Sequence, residues 1–325
     1  MIRHRSLLLT LVPAVLLAGC AGAAGSPAPS PDAAAVTLDN CGFEVGFDAA
    51  PERVLTVKST ATEMLLALGV GDRIVGTAFQ DGPLPEGLAA AGADLVSVSD
   101  RLPSAEAVLE LEPDLVYAGW ESTFTPDAAG DRGELTSLGV ASYVSPAACK
   151  APGYQPAKLA WEDVSAEITE VGEIFGVPEA AEVLVAEQEE TLAGIDPDDR
   201  ALTALWWSSG TDTPYVGAGI GSPQLILDTI GLVNIAADVD DTWTSYSWEA
   251  VAEVDPDVLV LVDASWNSAD TKKARLASDP LTANLTAVRN ERYLVIPFAA
   301  GEAGVRSAGA AADLAAQLAE LEFGD

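Results

Sequence analysis

The chain has 325 residues, of which 49% are hydrophobic, and it carries 50 aspartates and glutamates against 16 lysines and arginines. The formal net charge of −34 at pH 7 repels nucleic-acid phosphates and anionic lipid headgroups, so we exclude a nucleic-acid-binding protein. The length is sufficient for two lobes, each with its own hydrophobic core.

The first twenty residues are typical of an export signal. Arg3 and Arg5 precede an apolar run at residues 7–17, which has about half of the ~20 residues that a membrane-spanning helix needs. The sequence LAGC that ends at Cys20 resembles the lipobox of bacterial lipoproteins, whose cysteine is acylated. We therefore predict a signal peptide at residues 1–20, lipidation of Cys20 and an extracytoplasmic protein anchored to the outer face of the cell membrane.

Residues 21–35 (AGAAGSPAPSPDAAA) are of low complexity and rich in Ala, Gly, Ser and Pro. Such a segment cannot bury enough apolar surface to offset the entropy of ordering it, so we predict a flexible tether. Lipid at one end of the tether would hold a folded domain near the membrane without embedding it.

The only histidine, His4, lies in the predicted signal peptide, so the exported chain has no imidazole. This excludes Ser-His-Asp and Cys-His triads and the usual zinc and copper sites. We predict a protein that is not an enzyme, has no cofactor or metal site of its own, and receives any metal ion inside a chelator. An enzymatic alternative, in which Glu121 and Asp100 act as acid and base, stays open at this point.

Cys41 and Cys149 are the two cysteines that follow Cys20. In an oxidising compartment an even pair favours a disulfide over two free thiols. The bond would close a long loop and so stabilise the first lobe.

Short apolar runs rich in Val, Leu and Ile alternate with amphipathic stretches of helical length, which predicts an α/β fold. In the first lobe, predicted at residues 36–157, the strands are 53–57 (RVLTV), 73–77 (RIVGT) and 115–118 (LVYA), and the helices are 62–68 and 105–111. In the second lobe, predicted at residues 199–325, the strands are 202–206, 258–262 and 293–296, and the helices are 223–230, 249–254 and 308–321.

Residues 158–198, between the two lobes, have few strand signals and many Ala, Glu, Val and Leu residues at helical spacing. Pro178 is suited to the first turn of a helix, which predicts a long helix over about 180–192. A helical connection of this kind predicts only modest closure of the lobes.

A near-duplicate sequence occurs once in each predicted lobe, SAEAVLELEPDLV in the first and SWEAVAEVDPDVL in the second. Each predicts a helix that begins after a serine N-cap, ends at a proline and leads into a parallel strand. Glu106 and Glu249 occupy matched positions in the first turn, where the helix dipole favours a carboxylate. The two lobes are therefore predicted to share the same local arrangement of helix and strand.

Together, the lipobox, residues 50–76 (APERVLTV followed by TEMLLALGVGDRIVG), the linking segment and both repeats resemble the cobalamin and ferric-siderophore class of substrate-binding proteins of ABC importers. The resemblance covers nearly all of the exported chain. It implies two Rossmann-like α/β lobes joined by a long helix, the helical-backbone form of the periplasmic-binding-protein fold. It also implies a monomer that captures a small molecule between its lobes and delivers it to a permease dimer with its ATPase.

In that class, glutamates at the repeat positions dock on arginine pockets of the permease. Carried over to this chain, the docking pair would be Glu106 and Glu249. The alternative for both side chains is compensation of the helix dipole alone. A sensor or adhesin with the same fold is a further alternative, in which these glutamates would have no permease to bind.

Ligands of parallel α/β lobes bind at the carboxyl ends of the strands, so residues just after each strand are binding candidates. A cation followed by a helix N-terminus predicts a local anion site at Lys58 and at Arg101, with a solvated side chain as the alternative for each. The candidates of the first lobe are Lys58, Ser59, Thr60, Arg101 and Trp120.

Several tryptophans follow strands in the second lobe, whereas Trp206 is predicted to point into the core. Tryptophans in such loops favour stacking against a flat or hydrophobic ligand, each ring pair adding about 0.5 to 1.5 kcal/mol, with ordinary packing as the alternative. The candidates of the second lobe are Trp207, Trp243, Tyr246, Trp266 and Arg306.

The ligand itself is suggested by a narrower resemblance. Stretches such as NCGFEV, YVSPAACK and AADVDDTW are similar to an actinobacterial group proposed to import a precursor of the deazaflavin coenzyme. That resemblance implies a deazaflavin ring stacked on tryptophan, with Lys58, Arg101 or Arg306 at its phosphodiester and carboxylate. A ferric siderophore is the second candidate, and a corrinoid, which is bulky and needs less cationic contact, is the third.

Overall fold

The computed structural model describes residues 35–323. The predicted signal peptide, the predicted lipidation site Cys20 and all but the last residue of the predicted tether lie outside that range. Among the helices of the described range, none is both long enough and apolar enough to cross a membrane.

The described chain opens with a hairpin of two antiparallel strands, β1 (Val36–Asn40) and β2 (Phe43–Phe47), which the sequence analysis did not predict. The side-chain amide of Asn40 donates to the carbonyl of Val144 and accepts from its N–H, each at 2.8 Å. The buried guanidinium of Arg132 donates to the Asn40 carbonyl at 2.7 Å, and burial lowers the pKa of Arg132 to about 10. These bonds fix the hairpin to the first lobe.

The first lobe contains a parallel sheet with helices on both faces. Its strands are β3 (Val54–Val57), β4 (Ile74–Ala78), β5 (Ser97–Ser99), β6 (Leu115–Ala118) and β7 (Ala141–Val144), and its helices are α1 (Ser59–Ala67), α2 (Glu86–Ala89), α3 (Ala105–Glu110) and α4 (Arg132–Ser137). The strand order is β5-β4-β3-β6-β7. Strands β3 and β6 are buried along their whole length because one apolar cluster covers each face of the sheet.

The linking segment forms two helices, α5 (Trp161–Ile174) and α6 (Pro178–Ala193), which pack against each other. Pro178 is the first residue of α6, as predicted, and α6 has 16 residues against 14 in α5. Helix α5 completes the hydrophobic core of the first lobe through Val164, Ile168 and Val171.

The second lobe contains a mixed sheet, again with an apolar cluster on each face. Its strands are β8 (Thr203–Ser209), β9 (Tyr215–Gly217), β10 (Val233–Asn234), β11 (Trp243–Ser245), β12 (Val258–Asp263) and β13 (Tyr293–Pro297), and its helices are α7 (Ser222–Thr229), α8 (Trp248–Val254), α9 (Ala269–Ser278), α10 (Thr286–Arg289) and α11 (Ser307–Ala319). The order is β11-β9-β8-β12-β13, with β10 also paired to β8. Strands β8, β12 and β13 are parallel, whereas β9 and β11 form an antiparallel extension.

The two near-duplicate sequences adopt matched local structures. Ser104 caps α3 and Ser247 caps α8, each side chain accepting a backbone N–H of the first turn. The aspartate after each proline ties the repeat to the strand at the centre of its own lobe. Asp114 accepts the N–H of Arg53 just before β3, and Asp257 accepts the N–H of Thr203 at the start of β8.

Cys41 and Cys149 form a disulfide, with their Cα atoms 5.3 Å apart and their positions separated by 108 in sequence. Both cysteines are buried in the first lobe. The bond joins the turn of the β1–β2 hairpin to the segment that follows β7.

Candidate functional site

A cavity of about 490 Å³ lies between the two lobes, where the central strands of both sheets end. From the first lobe it is lined by residues that follow β3, β4, β6 and β7, and from the second by residues that end or follow β8, β12 and β13 and by residues of β9 and β11. Its volume is within the range of pockets that hold cofactor-sized ligands. The position agrees with the rule that parallel α/β lobes bind ligands at the carboxyl ends of their strands.

The structure divides the predicted ligand contacts into two groups. The residues that line the cavity are Lys58, Thr60, Trp120, Trp243 and Trp266. The residues that do not line it are Ser59, Arg101, Trp207, Tyr246 and Arg306.

Trp207 lies in the core because β8 is longer than the predicted strand and runs to Ser209. Neighbouring residues of a strand face opposite sides of the sheet, and both sides of this sheet are covered. Trp206 therefore packs in one core cluster, as predicted, and Trp207 in the other, against Trp248. The strand-end positions that line the cavity are Ser208 and Ser209.

The other absent contacts are explained by their positions, and the guanidinium of Arg306 is engaged in an ion pair of 3.2 Å with Glu63. Arg101 is exposed beyond β5, the edge strand of the first sheet. The Tyr246 hydroxyl donates to the carbonyl of Ile235, 3.4 Å away. Ser59 is buried and its hydroxyl accepts the N–H of Asp81 at 2.8 Å.

Lys58 is the most constrained residue of the site. It precedes α1 with a φ of 78°, a left-handed conformation that is uncommon for a residue other than glycine. Its ammonium lies over three rings, 3.8 Å from the centroid of Trp120, 4.5 Å from Phe79 and 4.9 Å from Phe298. It also forms an ion pair with Asp81, and its side chain is 2% exposed. Lys58 is therefore enclosed and already neutralised.

Trp120, which lines the cavity, joins the two lobes. Its indole N–H donates to the carboxylate of Glu302 in the second lobe at 3.0 Å, and its ring meets Phe298 edge-on. Burial raises the pKa of Glu302, while Lys58 and the Trp120 hydrogen bond act in the opposite direction. A Cβ atom on Gly119 would lie 2.3 Å from the Thr60 hydroxyl, so glycine is needed for β6 to end this close to α1.

The second lobe supplies a wall of aromatic rings. Tyr215 on β9 and Trp243 on β11 are nearly parallel, with centroids 6.1 Å apart and an angle of 16° between the rings. Trp266, in the loop after β12, is 58% exposed and its ring edge contacts Phe298. Tyr215 was not predicted from the sequence, because the short antiparallel strand β9 that carries it has no clear pattern.

The charged residues of the cavity lining are two lysines and three carboxylates: Lys58, Lys150, Asp81, Glu121 and Glu302. Both lysines already have an acidic partner, since Lys58 pairs with Asp81 and Lys150 with Asp241. The cavity therefore offers aromatic faces and hydroxyl groups rather than free cations.

The structure does not bring together the residues of the enzymatic alternative. Glu121 lines the cavity, where its carboxylate accepts the backbone N–H of Lys150. Asp100 is exposed and lies outside the cavity lining. Across residues 35–323, no group of three or more His, Cys, Asp or Glu side chains is arranged to hold a metal ion.

Glu106 and Glu249 are exposed in the first turns of α3 and α8. In the part of the chain that the structure covers, neither forms an ion pair. Both carboxylates are therefore accessible to a partner, and their docking role stays a prediction.

Comparison with known proteins gives a consistent result. Residues 54–300 match the model of a family described as periplasmic binding protein. The chain is 29% identical over 310 residues to a cobalamin-binding protein of Halobacterium salinarum, covering 87% of this chain and 76% of that protein. It is 26% identical over 269 residues to an uncharacterized ABC transporter substrate-binding lipoprotein, YvrC, of Bacillus subtilis, covering 78% of each.

A solved structure with a similar fold is that of an ABC-type Fe3+-hydroxamate transport system from Saccharomonospora viridis. The TM-score is 0.73 at 28% sequence identity, and the match covers 87% of this chain and 98% of that one.

Proposed function

The chain belongs to the periplasmic binding protein family, and on that premise we propose that it is the extracytoplasmic, lipid-anchored substrate-binding protein of an ABC importer. The ligand of this importer is cofactor-sized, with a flat face and no net negative charge. The observation that carries this ligand class is the lining of the cavity. It has six aromatic side chains, and both of its lysines are paired with carboxylates.

The charge of the cavity bears on each candidate ligand. An anionic ligand placed there would meet three carboxylates and would have to displace Asp81 or Asp241 from a lysine. Since Arg101 and Arg306 lie outside the lining, no guanidinium is available to compensate. The geometry therefore disfavours a polyanionic deazaflavin precursor and an anionic ferric siderophore.

A corrinoid is the ligand that these features support best. It presents a broad face to aromatic rings, it makes little demand on cationic contacts, and the relative from Halobacterium salinarum is named as a cobalamin-binding protein. Part of so large a ligand would extend beyond the cavity of about 490 Å³.

A ferric hydroxamate is the second candidate. Such chelates can be uncharged or cationic, and the similar structure from Saccharomonospora viridis is named for Fe3+-hydroxamate transport. A ferric chelate would bring its metal already coordinated, which suits a cavity without histidine.

The test is equilibrium dialysis of the purified full chain in detergent against cyanocobalamin, ferric desferrioxamine and a deazaflavin coenzyme, each followed by its own absorbance. We expect saturable one-to-one binding of cyanocobalamin that an excess of the deazaflavin does not displace. Saturable binding of the deazaflavin alone would overturn the ligand class, and binding of the ferric chelate alone would assign the protein to iron uptake.

A further inference from the structure

Residues 149–155, which we call the strap, pass from the disulfide in the first lobe toward the second lobe at the edge of the cavity. Two contacts hold the strap to the β1–β2 hairpin: the Cys41–Cys149 disulfide, and a hydrogen bond of 2.7 Å from the Tyr154 hydroxyl to the carboxylate of Asp39. Asp39 also accepts the N–H of Gly42 across the hairpin turn. The strap is therefore anchored at both of its ends.

The strap reaches the second lobe through Lys150. Its ammonium donates to the Asp241 carboxylate at 3.0 Å and to the Thr242 hydroxyl at 2.7 Å, and the Gln155 amide lies 3.5 Å from the same carboxylate. The backbone N–H of Lys150 donates to Glu121. Lys150 and Thr242 both line the cavity, one from each lobe.

We propose that Lys150 is a ligand-retaining residue, which holds the two lobes together across the cavity while a ligand is bound, and that the Cys41–Cys149 disulfide positions it. This inference rests on the proposed function of a ligand-binding cleft. Lys150 acts through Asp241 and Thr242 rather than on the ligand, because both acceptors already engage its ammonium. The strap then slows ligand release, and the disulfide affects binding as well as stability.

The chain offers a matched control for Lys150. Lys158 forms an ion pair of 2.7 Å with Asp228, which joins the linking segment to α7 of the second lobe. The side chains of this pair are 56% and 43% exposed, and those of Lys150 and Asp241 are each 50% exposed. Lys158 is not part of the cavity lining, so its removal tests the loss of a similar ion pair at a different place.

The first measurement is the rate of cyanocobalamin association with, and dissociation from, the full chain immobilised on a surface. We expect Lys150→Ala to raise the dissociation rate about fivefold, the scale of a partly exposed ion pair plus one hydrogen bond, with the association rate changed by less than about twofold. Lys150→Arg should restore slow release, and Lys158→Ala should behave as the wild type. Equal effects of Lys150→Ala and Lys158→Ala would overturn the proposal.

The role of the disulfide is tested by a Cys41→Ser/Cys149→Ser double variant. We expect faster release by a similar factor and no further increase when Lys150→Ala is added, because both changes remove the same contact. Tyr154→Phe, which loses only the bond to Asp39, provides the second test should the cysteine variant fail to fold. Full additivity of the cysteine and lysine changes would contradict positioning by the disulfide.

A measurement without ligand separates this proposal from the ligand assignment. If the wild type does not bind cyanocobalamin, the ligand assignment fails. The role of the strap in holding the lobes together is then tested by amide hydrogen exchange of residues 239–243 in the ligand-free full chain. Faster exchange there in Lys150→Ala but not in Lys158→Ala supports the strap. Unchanged exchange in both variants overturns it.

Discussion

Glu63 on α1 of the first lobe and Arg306, just before α11 of the second, form an ion pair of 3.2 Å that joins the two lobes. The Glu63 side chain is 2% exposed and that of Arg306 is 18% exposed, so the carboxylate is the more deeply buried partner. Burial raises the pKa of Glu63 to about 7, although Arg306 lowers it. The charge of this contact between the lobes therefore changes near neutral pH.

The first prediction is that the loss of unfolding free energy caused by Arg306→Gln depends on pH. Below pH 7 Glu63 is largely protonated in the folded protein, so loss of the arginine removes little stabilising charge interaction. Above pH 7 the wild-type carboxylate is ionised and paired, whereas in the variant it must stay protonated or be buried as an unpaired charge. We expect the loss of unfolding free energy to be about 1 to 2 kcal/mol larger at pH 8.5 than at pH 6, as measured by urea denaturation.

The double variant Glu63→Gln/Arg306→Gln is the control for that prediction. It removes the titrating carboxyl, so the difference between the two pH values should largely disappear. If Arg306→Gln lowers the unfolding free energy by the same amount at both pH values, Glu63 does not titrate in this range.

The second prediction concerns Glu167 on α5, which is buried and accepts hydrogen bonds from Tyr117 at 2.8 Å and Ser145 at 2.9 Å. Burial raises its pKa to about 7 despite these bonds. Because the folded-state pKa lies above the ordinary value of 4.5, the folded protein holds a proton that the unfolded chain has released. Its contribution to stability is therefore present at low pH and is lost as the pH rises from about 4.5 to 7.

We expect Glu167→Gln to flatten the decline of the unfolding free energy between pH 5 and pH 8, by an amount on the order of 2 kcal/mol. The measurement is a series of urea denaturation curves across that range. Glu173→Gln on the exposed face of the same helix makes the same change in charge and is expected to leave the slope unchanged. An equal effect of both variants would mean that net charge, and not burial of Glu167, controls the slope.

Much of the fold could be predicted from the sequence, because its determinants are local. The apolar runs at β3, β6 and β12 have the composition of strands buried on both faces, Pro178 begins α6, and serines cap the helices of both repeats. The hairpin β1–β2, the extension β9–β11 and the short strands β7 and β10 were missed. Each of these strands is at most five residues long, which is too short for a clear sequence pattern. The hairpin is held to the first lobe by contacts with distant residues, such as that of Asn40 with Val144.

The placement of strand ends accounts for much of what could be predicted of the site, although Trp243 lines the cavity from β11, a strand that was missed. Lys58 and Trp120 follow β3 and β6, whose ends were identified, and both line the cavity. The predicted end of β8 was three residues too early, so Trp207 was taken as a ligand contact, although it lies inside the sheet. Arg306 could not be assigned from the sequence, because its partner Glu63 is 243 residues away in the other lobe.

The third prediction distinguishes a tryptophan that lines the cavity from one that lies in the core of the second lobe. Trp266 is 58% exposed at the cavity, so Trp266→Ala should weaken ligand binding by about tenfold and leave the unfolding free energy nearly unchanged. Trp207 is 1% exposed in the core, so Trp207→Ala should cost about 3 to 5 kcal/mol of stability. Dialysis against cyanocobalamin and urea denaturation measure the two effects, and a stability loss in Trp266→Ala comparable to that in Trp207→Ala would refute the division.

The fourth prediction tests docking on the permease through Glu106 and Glu249. Both are exposed at matched positions in the two repeats, so a permease dimer with twofold symmetry would meet one carboxylate from each lobe. We expect the double charge reversal to lysine to leave ligand affinity unchanged, since neither residue lines the cavity, and to abolish uptake of radiolabelled cyanocobalamin by cells. Reversal of Glu110 and Glu253, which are also exposed and lie one turn along the same helices, makes the same change in net charge and should reduce uptake much less. Equal losses in both double variants would indicate a general electrostatic effect, and full uptake by the first would exclude these glutamates as the docking pair.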